Sequence, residues 1–492
     1  MPKLTYDELK LGEKSVEMCK AGVPLEEIQR NSAIYLNTQL FFGPLNVTDA
    51  VVASVLGGMN SLLTGRFGCG KSQLANDFAN YYFGGPIDVG GKSIIIQGDP
   101  NLDIIPDVFT TLDKKSLKRI FNNHVNANYI NLEEINRCPP FSQNQFFTAL
   151  NGRLIYGGEE KRIGNGYCST ISTANFGNGE YKGTFDSDSA MLNRFGIVLN
   201  LDESEFKPTF EDREYIERIR PADSRIKESP KKDLTSKILE ANEEIRANSI
   251  NMGPQAEAAL RFLRESLDNC SKNPNFLKDL EWGVQNSLCQ KCTLNKEAPA
   301  KYALCSMVQS PVPRTLNNTR LYTAALDYLI KLKGQKGVDP VDLVFKAFEL
   351  TGPYQGTLNP FIVNSPKFNH KNSAMMKEVV KELKSDYRAN EGKLLSALEM
   401  SKEGKTSPFY FFPKDKKDTE GKPIRVTSFG YDNLSAKDKA GLEASGIVEP
   451  FEFDDKGRLG YSWVQKSIDF NLDESERDKS ADKKEDSAEG KK

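Results

Sequence analysis

The sequence predicts an α/β chain: a parallel sheet carrying a phosphate loop, then an α-helical lid, then a small α+β region. Three observations predict it. From about residue 42 to 200, short apolar runs alternate with amphipathic stretches, as buried parallel strands crossed by helices do. One run, SLLTG, leads into Gly65-Arg66-Phe67-Gly68-Cys69-Gly70-Lys71-Ser72 and then into a helical stretch, QLANDFANYY. Another, ANYINL, ends on the acidic pair Glu133-Glu134.

The elements follow in order. In residues 4–40, Ile28, Ala33, Ile34 and Leu36 recur at helical spacing, which predicts a small helical cap over 1–41. Residues 42–221 form the α/β core, with SLLTG, KSIIIQG, ANYINL, STISTAN and FGIVLNL as its strands. A lid over 222–364 is expected from the helical periodicity of LTSKILEANEEIR, PQAEAALRFLRESL and residues 314–350, with a cysteine-bearing insertion at 269–309. The α+β region spans 365–470: a helix over 374–400, then FYFFPKD, PIRVTSF and a hairpin turning at DDKGR. Core packing accounts for the aromatic FYFFP better than base stacking does. Residues 471–492 alternate charges with almost no apolar residue, so a disordered tail is expected.

Composition narrows the classes. With 66 basic and 68 acidic residues in 492, no global field favours nucleic acid or an anionic membrane, although local patches stay open. No apolar run reaches the roughly 18 residues that span a bilayer, and MPKLTYDELK has no signal pattern. A cytoplasmic protein is expected. Eight cysteines are too sparse for a secreted disulfide scaffold, and two histidines, His124 and His370, leave little room for histidine-based metal or triad chemistry.

The segment Gly65–Ser72 fits G-x-x-x-x-G-K-[ST] between a strand and a helix. Gly65, Gly68 and Gly70 let the backbone wrap so that N–H groups, including those of Cys69 and Gln73, face phosphate oxygens. Lys71 neutralises phosphate charge, and Ser72 would ligate Mg²⁺. The bland alternative is a coincidental loop. Glu133 would hold Mg²⁺ through water, and Glu134 would polarise the attacking water, the two pointing to opposite faces of a strand. The alternative for this pair is an exposed acidic strand end. Cys69 sits where helix-terminus amides could lower its pKa and make it redox-sensitive; a tolerated loop residue is the simpler reading.

LEEINRCPPFSQNQFFTALNGR resembles the signature of the MoxR-type branch of AAA+ ATPases, and STANFGNGEYKGTFDSDSAMLNRF is similar to that family's next block. The resemblance implies ATP as ligand, Asn175 as the sensor orienting the water, and Arg194 as an arginine finger reaching a neighbouring subunit's γ-phosphate. Both suit the chemistry: an amide donates and accepts, and a guanidinium neutralises spreading charge. Glu133 and Asn193 stand where the family usually carries Asp. SPVPRTLNNTRLYTAALDYLIKLKGQKGVDPVDLVF resembles the family's lid segment, which makes Arg314 the lid sensor; QGDPNLDIIPDVF is similar to its substrate-facing insertion. The resemblance runs from about 42 to 352 and is weakest over 203–309. It implies a homo-oligomeric ring, a hexamer, hydrolysing ATP at subunit interfaces to remodel a protein client, with a von Willebrand factor A domain protein as the partner it suggests.

Cys270, Cys289, Cys292 and Cys305 depart from that pattern. Their spacing, with 18, 2 and 12 residues between them, matches the ligand count of a zinc site or an iron–sulfur cluster and equally suits ordinary thiols. Two rival functions stay open: a nucleic-acid remodeller using a metal-bound lid insertion, and a nucleotide-switched scaffold with little turnover. The first needs DNA binding that weakens with salt; the intact Glu134, Asn175 and Arg194 weigh against the second.

Overall fold

The computed structural model describes residues 3–10, 22, 40–66, 68–175, 189–203, 205–210, 212–213, 231–268, 304–309, 312–402, 448–453 and 459–463. The chain divides into two compact units, one of residues 1–260 and 306–384, the other of 261–305 and 385–492.

The first unit opens with a short helix α1 (Tyr6–Leu9) and a small pair β1 (Leu40–Phe42) and β2 (Leu45–Asn46). Helix α2 (Val47–Leu56) follows, started by a reciprocal cap: Asn46 Oδ1 accepts the Asp49 N–H (2.9 Å), and the Asn46 N–H donates to Asp49 Oδ2 (2.9 Å). All ten of its residues are buried, so it is a core helix with no solvent face. Strand β3 (Ser61–Thr64) then leads through the glycine loop to α3 (Lys71–Phe83). After it come β4 (Ser93–Gln97), α4 (Ile104–Phe109), the hairpin β5 (Thr110–Leu112) and β6 (Arg119–Phe121), and β7 (Tyr129–Glu133). Helix α5 (Pro140–Leu150) precedes a second hairpin, β8 (Arg153–Tyr156) and β9 (Glu159–Arg162), then β10 (Ser169–Ala174), α6 (Ser189–Leu192) and β11 (Ile197–Asn200).

Strands β11, β3, β10, β7 and β4 lie side by side in that order, every pair parallel. Numbered along the chain, the five run 5-1-4-3-2, so the order reverses beside β3 and a crevice opens at the carboxyl ends of β3 and β10. These are the five apolar runs of the sequence. Leu63, Tyr129, Ile171, Ile197 and Leu199 pack on one face against α2 and α3. Leu62, Ile130, Leu132, Ala174 and Val198 pack on the other with Ile104, Phe109 and Phe146 of α4 and α5. The fold is thus the predicted α/β core, a five-stranded parallel sheet with helices on both faces and a glycine loop after β3.

Helices follow the sheet: α7 (Thr235–Ile250), α8 (Pro254–Asp268), α9 (Leu304–Met307), α10 (Pro313–Leu332), α11 (Pro340–Thr351), α12 (Pro360–Val363) and α13 (Asn372–Lys402). Proline starts α10 and α11, and the Asp339 carboxylate caps α11 by accepting the Val341 N–H (2.8 Å). Tyr322, Leu326 and Leu329 of α10 join the core on the α2 face of the sheet.

In the second unit, Phe262 and Tyr387 meet edge to face with ring centroids 5.5 Å apart. There β12 (Val448–Phe453) and β13 (Leu459–Trp463) pair antiparallel, which is the expected hairpin. Among the described residues no helix is long and apolar enough to cross a membrane. The tail 471–492 and most of the cap 1–41 lie outside the described residues.

Candidate functional site

The loop after β3 is shaped by glycine. Gly65, Gly68 and Gly70 have φ of 136°, 75° and 90°, where a side chain would be strained. Gly70 caps α3, so the amides of that helix's first turn open onto the loop. Lys71 is buried, and its Nζ donates to the carbonyls of Gly65 (2.7 Å) and Arg66 (2.8 Å), holding the loop closed around a positive charge. The Arg66 N–H donates to Asp202 Oδ2 (2.8 Å) just beyond β11, which ties the loop's start to the edge of the sheet.

Cys69 donates from Sγ to the Arg66 carbonyl (3.0 Å), and Lys71 Nζ lies 3.5 Å away. Burial pushes its thiol up and outweighs the neighbouring lysine. That direction favours the tolerated-loop reading of Cys69 over the redox-sensitive one. Gln73 is buried on α3 and donates to Asp77 Oδ1 (2.7 Å).

Glu133 ends β7, buried, with Oε1 accepting from Asn76 Nδ2 (2.7 Å) and Asn131 Nδ2 (3.2 Å). Asn76 also donates to the Ser72 carbonyl (3.0 Å), so Ser72 and Glu133 are brought together across α3 and β7. Burial raises the Glu133 carboxyl, while hydrogen bonds from Asn76, Asn131 and Ser72 oppose the shift. A divalent cation would favour the charged form further.

Glu134 does not continue the strand. Its φ of 51° and ψ of 48° are left-handed, a conformation costing about 1–2 kcal/mol outside glycine, and its N–H donates to Thr173 Oγ1 (3.0 Å) on β10. A sharp turn, rather than strand alternation, separates the two carboxylates. The turn needs Gly98 opposite: a Cβ there would lie 2.3 Å from the Glu134 carbonyl oxygen. The Glu134 carboxylate pairs with Arg137 Nε (2.8 Å) and accepts from Gln97 Nε2 (3.1 Å).

Asn175 follows β10. It is buried, its carbonyl accepts from Asn136 Nδ2 (3.1 Å), and among the described residues its Oδ1 has no hydrogen-bond partner. Thr64 Oγ1, at the end of the adjacent β3, is likewise buried without a partner among the described residues. Leaving a buried polar atom unsatisfied costs about 1–3 kcal/mol, so these two at the strand ends suit a bound polar group or water. With Ser72 and Glu133 beside them, these residues fit a phosphate carrying a hard divalent cation, which takes oxygen ligands.

Arg194 lies beyond α6. Its Nη1 donates to the Ala190 carbonyl, and its guanidinium sits 4.2 Å above the Phe147 ring of α5. Arg314, exposed at the start of α10, donates from Nη1 to the Asn193 carbonyl (3.4 Å). The structure thus gathers the expected residues into two groups: the loop, Glu133, Glu134 and Asn175 at the strand ends, and Arg314 against the turn that carries Arg194.

Of the proposed cysteine ligands, Cys270, Cys289 and Cys292 lie outside the described residues, and Cys305 is described only by its backbone in α9. Among the described residues Cys69, Cys138 and Cys168 are free, and burial pushes the Cys168 thiol up to about 12. Sequence reasoning missed Asn76, Asn131, Gln97, Arg137 and Asp202, each of which holds a site residue.

No known family model matches the chain, and no curated protein matches it. Among solved structures it is similar to a protein from Cytophaga hutchinsonii described as a candidate ATPase, at 15% identity over 68% of this chain and 88% of that one, with a TM-score of 0.47. It is also similar to a full-length MCM homolog from Methanopyrus kandleri, at 12% identity over 72% of this chain and 63% of that one, with a TM-score of 0.37. Likenesses this distant add nothing to what the sheet order and loop already state.

Proposed function

We propose that the chain binds ATP with Mg²⁺ at the glycine loop and hydrolyses it at subunit interfaces of a homo-oligomeric ring, a hexamer, in the cytoplasm. Turnover would remodel or activate a protein client, a von Willebrand factor A domain protein being the partner the family resemblance suggests. The observation that carries this reading is the joined set at the strand ends: Lys71 inside the loop, Ser72 and Glu133 linked through Asn76, and Asn175 Oδ1 buried without a partner among the described residues.

In this reading Lys71 neutralises β/γ charge, Ser72 and Glu133 hold Mg²⁺, which supplies charge neutralisation on the phosphates, Asn175 orients the water and Glu134 accepts its proton. Arg194 serves a neighbour's γ-phosphate, which is why a ring is needed, and Arg314, bonded one residue away, serves the same phosphate. The hairpin of β5 and β6, with exposed Leu112, Leu117 and Ile120, follows the insertion that resembles a substrate-facing segment and would touch the client.

Lys71→Ala tests the loop. Losing charge-assisted bonds worth about 1.5–3 kcal/mol weakens ATP roughly ten- to a hundredfold. Titration with a fluorescent ATP analogue reads this, and an unchanged dissociation constant removes the phosphate-loop assignment.

We also propose that Cys270, Cys289, Cys292 and Cys305 share a metal, zinc or an iron–sulfur cluster. Closing loops of 18 and 12 residues is costly without such a clamp. Elemental analysis of protein purified anaerobically without chelator should give about one zinc, or several irons with colour, per chain. Under a tenth of an equivalent of either leaves them as ordinary thiols.

A further inference from the structure

Gln355 is 1% exposed, in the turn between α11 and α12. Its amide faces two elements at once. Nε2 donates to the carbonyl of Phe195, the residue after Arg194. Oε1 accepts from Asn318 Nδ2 (3.4 Å) and Thr315 Oγ1 (3.5 Å) in the first turns of α10. On the other side of Arg194, the Asn193 carbonyl accepts from Arg314, which immediately precedes Thr315. The carbonyls flanking Arg194 are therefore both gripped by groups at, or bonded to, the start of α10.

The turn carrying Gln355 is itself fixed. Gln309 N–H donates to the Thr357 carbonyl (2.7 Å) and Asn359 N–H to the Met307 carbonyl (2.8 Å). A Cβ at Gly352 would meet Met376 Cε at 2.4 Å, so the chain packs there without room for a side chain. The hydroxyls of Thr319 on α10 and Thr351 on α11 lie 2.7 Å apart, stitching the two helices together. Helix α10, helix α11 and the turn thus make one bonded piece, and Gln355 reaches from it to the backbone of the arginine's turn. A primary amide suits the task because it donates and accepts simultaneously.

We propose that Gln355 is a positioning residue that couples α10 to Arg194, so that a change in the helix's angle is delivered to the guanidinium through the Phe195 carbonyl. This rests on the ATP-hydrolysis reading above. The competing account is a buried amide kept only for stability.

The test uses the full-length oligomer with two variants. Gln355→Met removes every side-chain hydrogen bond at similar volume; Gln355→Glu keeps an acceptor toward Thr315 and Asn318 but cannot donate to Phe195. A displaced catalytic group costs on the order of ten- to a hundredfold. Both variants should therefore lower kcat by about that factor, with KM within roughly threefold of wild type. In an Arg194→Ala background neither should lower the residual rate further, read by single turnover of radiolabelled ATP, because the group they act through is gone. A reduced melting temperature with kcat per folded oligomer unchanged would overturn the proposal, as would an equal loss in both backgrounds. Should Gln355→Met fail to assemble, Gln355→Glu and Asn318→Leu read the coupling from its two sides. Absence of ATP hydrolysis by wild type sinks the ATP reading and the coupling together, whereas an active wild type with unmoved Gln355 variants sinks the coupling alone.

Discussion

Glu134→Gln is expected to bind ATP within about threefold of wild type and to hydrolyse it at a rate lower by roughly 10²–10⁴, the usual worth of a positioned general base. Glutamine has nearly the same shape, and the left-handed turn at residue 134 is held by backbone contacts, the N–H to Thr173 and the close approach of Gly98. The loop, Ser72 and Glu133 are then undisturbed, so binding persists while the amide cannot take the water's proton. Phosphate release measured beside analogue binding separates the two effects. Turnover within threefold of wild type would remove Glu134 from the base role.

Arg194→Ala should leave binding by isolated subunits intact and slow hydrolysis by about 10³-fold or more if the guanidinium acts in trans. The stack of Arg194 on Phe147 contributes on the order of 1–2 kcal/mol, so a melting curve distinguishes lost packing from lost chemistry. Mixing is the sharper measurement. In rings containing both Arg194→Ala and Glu134→Gln chains, an interface formed by the carboxylate of the first and the arginine of the second carries no lesion, so activity should return. No recovery in rings shown by mass spectrometry to be mixed would place the finger in cis.

The sheet was legible because β3, β7, β10 and β11 are buried on both faces and, like the half-exposed edge strand β4, read as continuous apolar runs. The strand order was not, since it depends on pairings between distant residues such as Ala174 with Thr64. The exposed hairpins were missed for the opposite reason: four-residue EEKR of β9 has no apolar face to announce it. Within the site, the partners of Glu133 were within reach of spacing alone. Asn76 lies one helical turn after Ser72, and Asn131 lies two residues before Glu133 on the same strand face. Gln97, Asp202 and Gln355 come from other elements and become visible only when the sheet places their ends together. The turn at Glu134 had no signal in itself, because a glutamate gives no hint of positive φ; the hint lay in Gly98, thirty-six positions upstream.

That glycine carries a lesson for reading tolerance to change along this chain. Any residue with a side chain there must push back the peptide that aims Glu134. A survey of all single substitutions scored by growth would therefore rank position 98 with the chemical residues. Intolerance at that position would mark the mould in which the carboxylate is cast rather than a contact it makes.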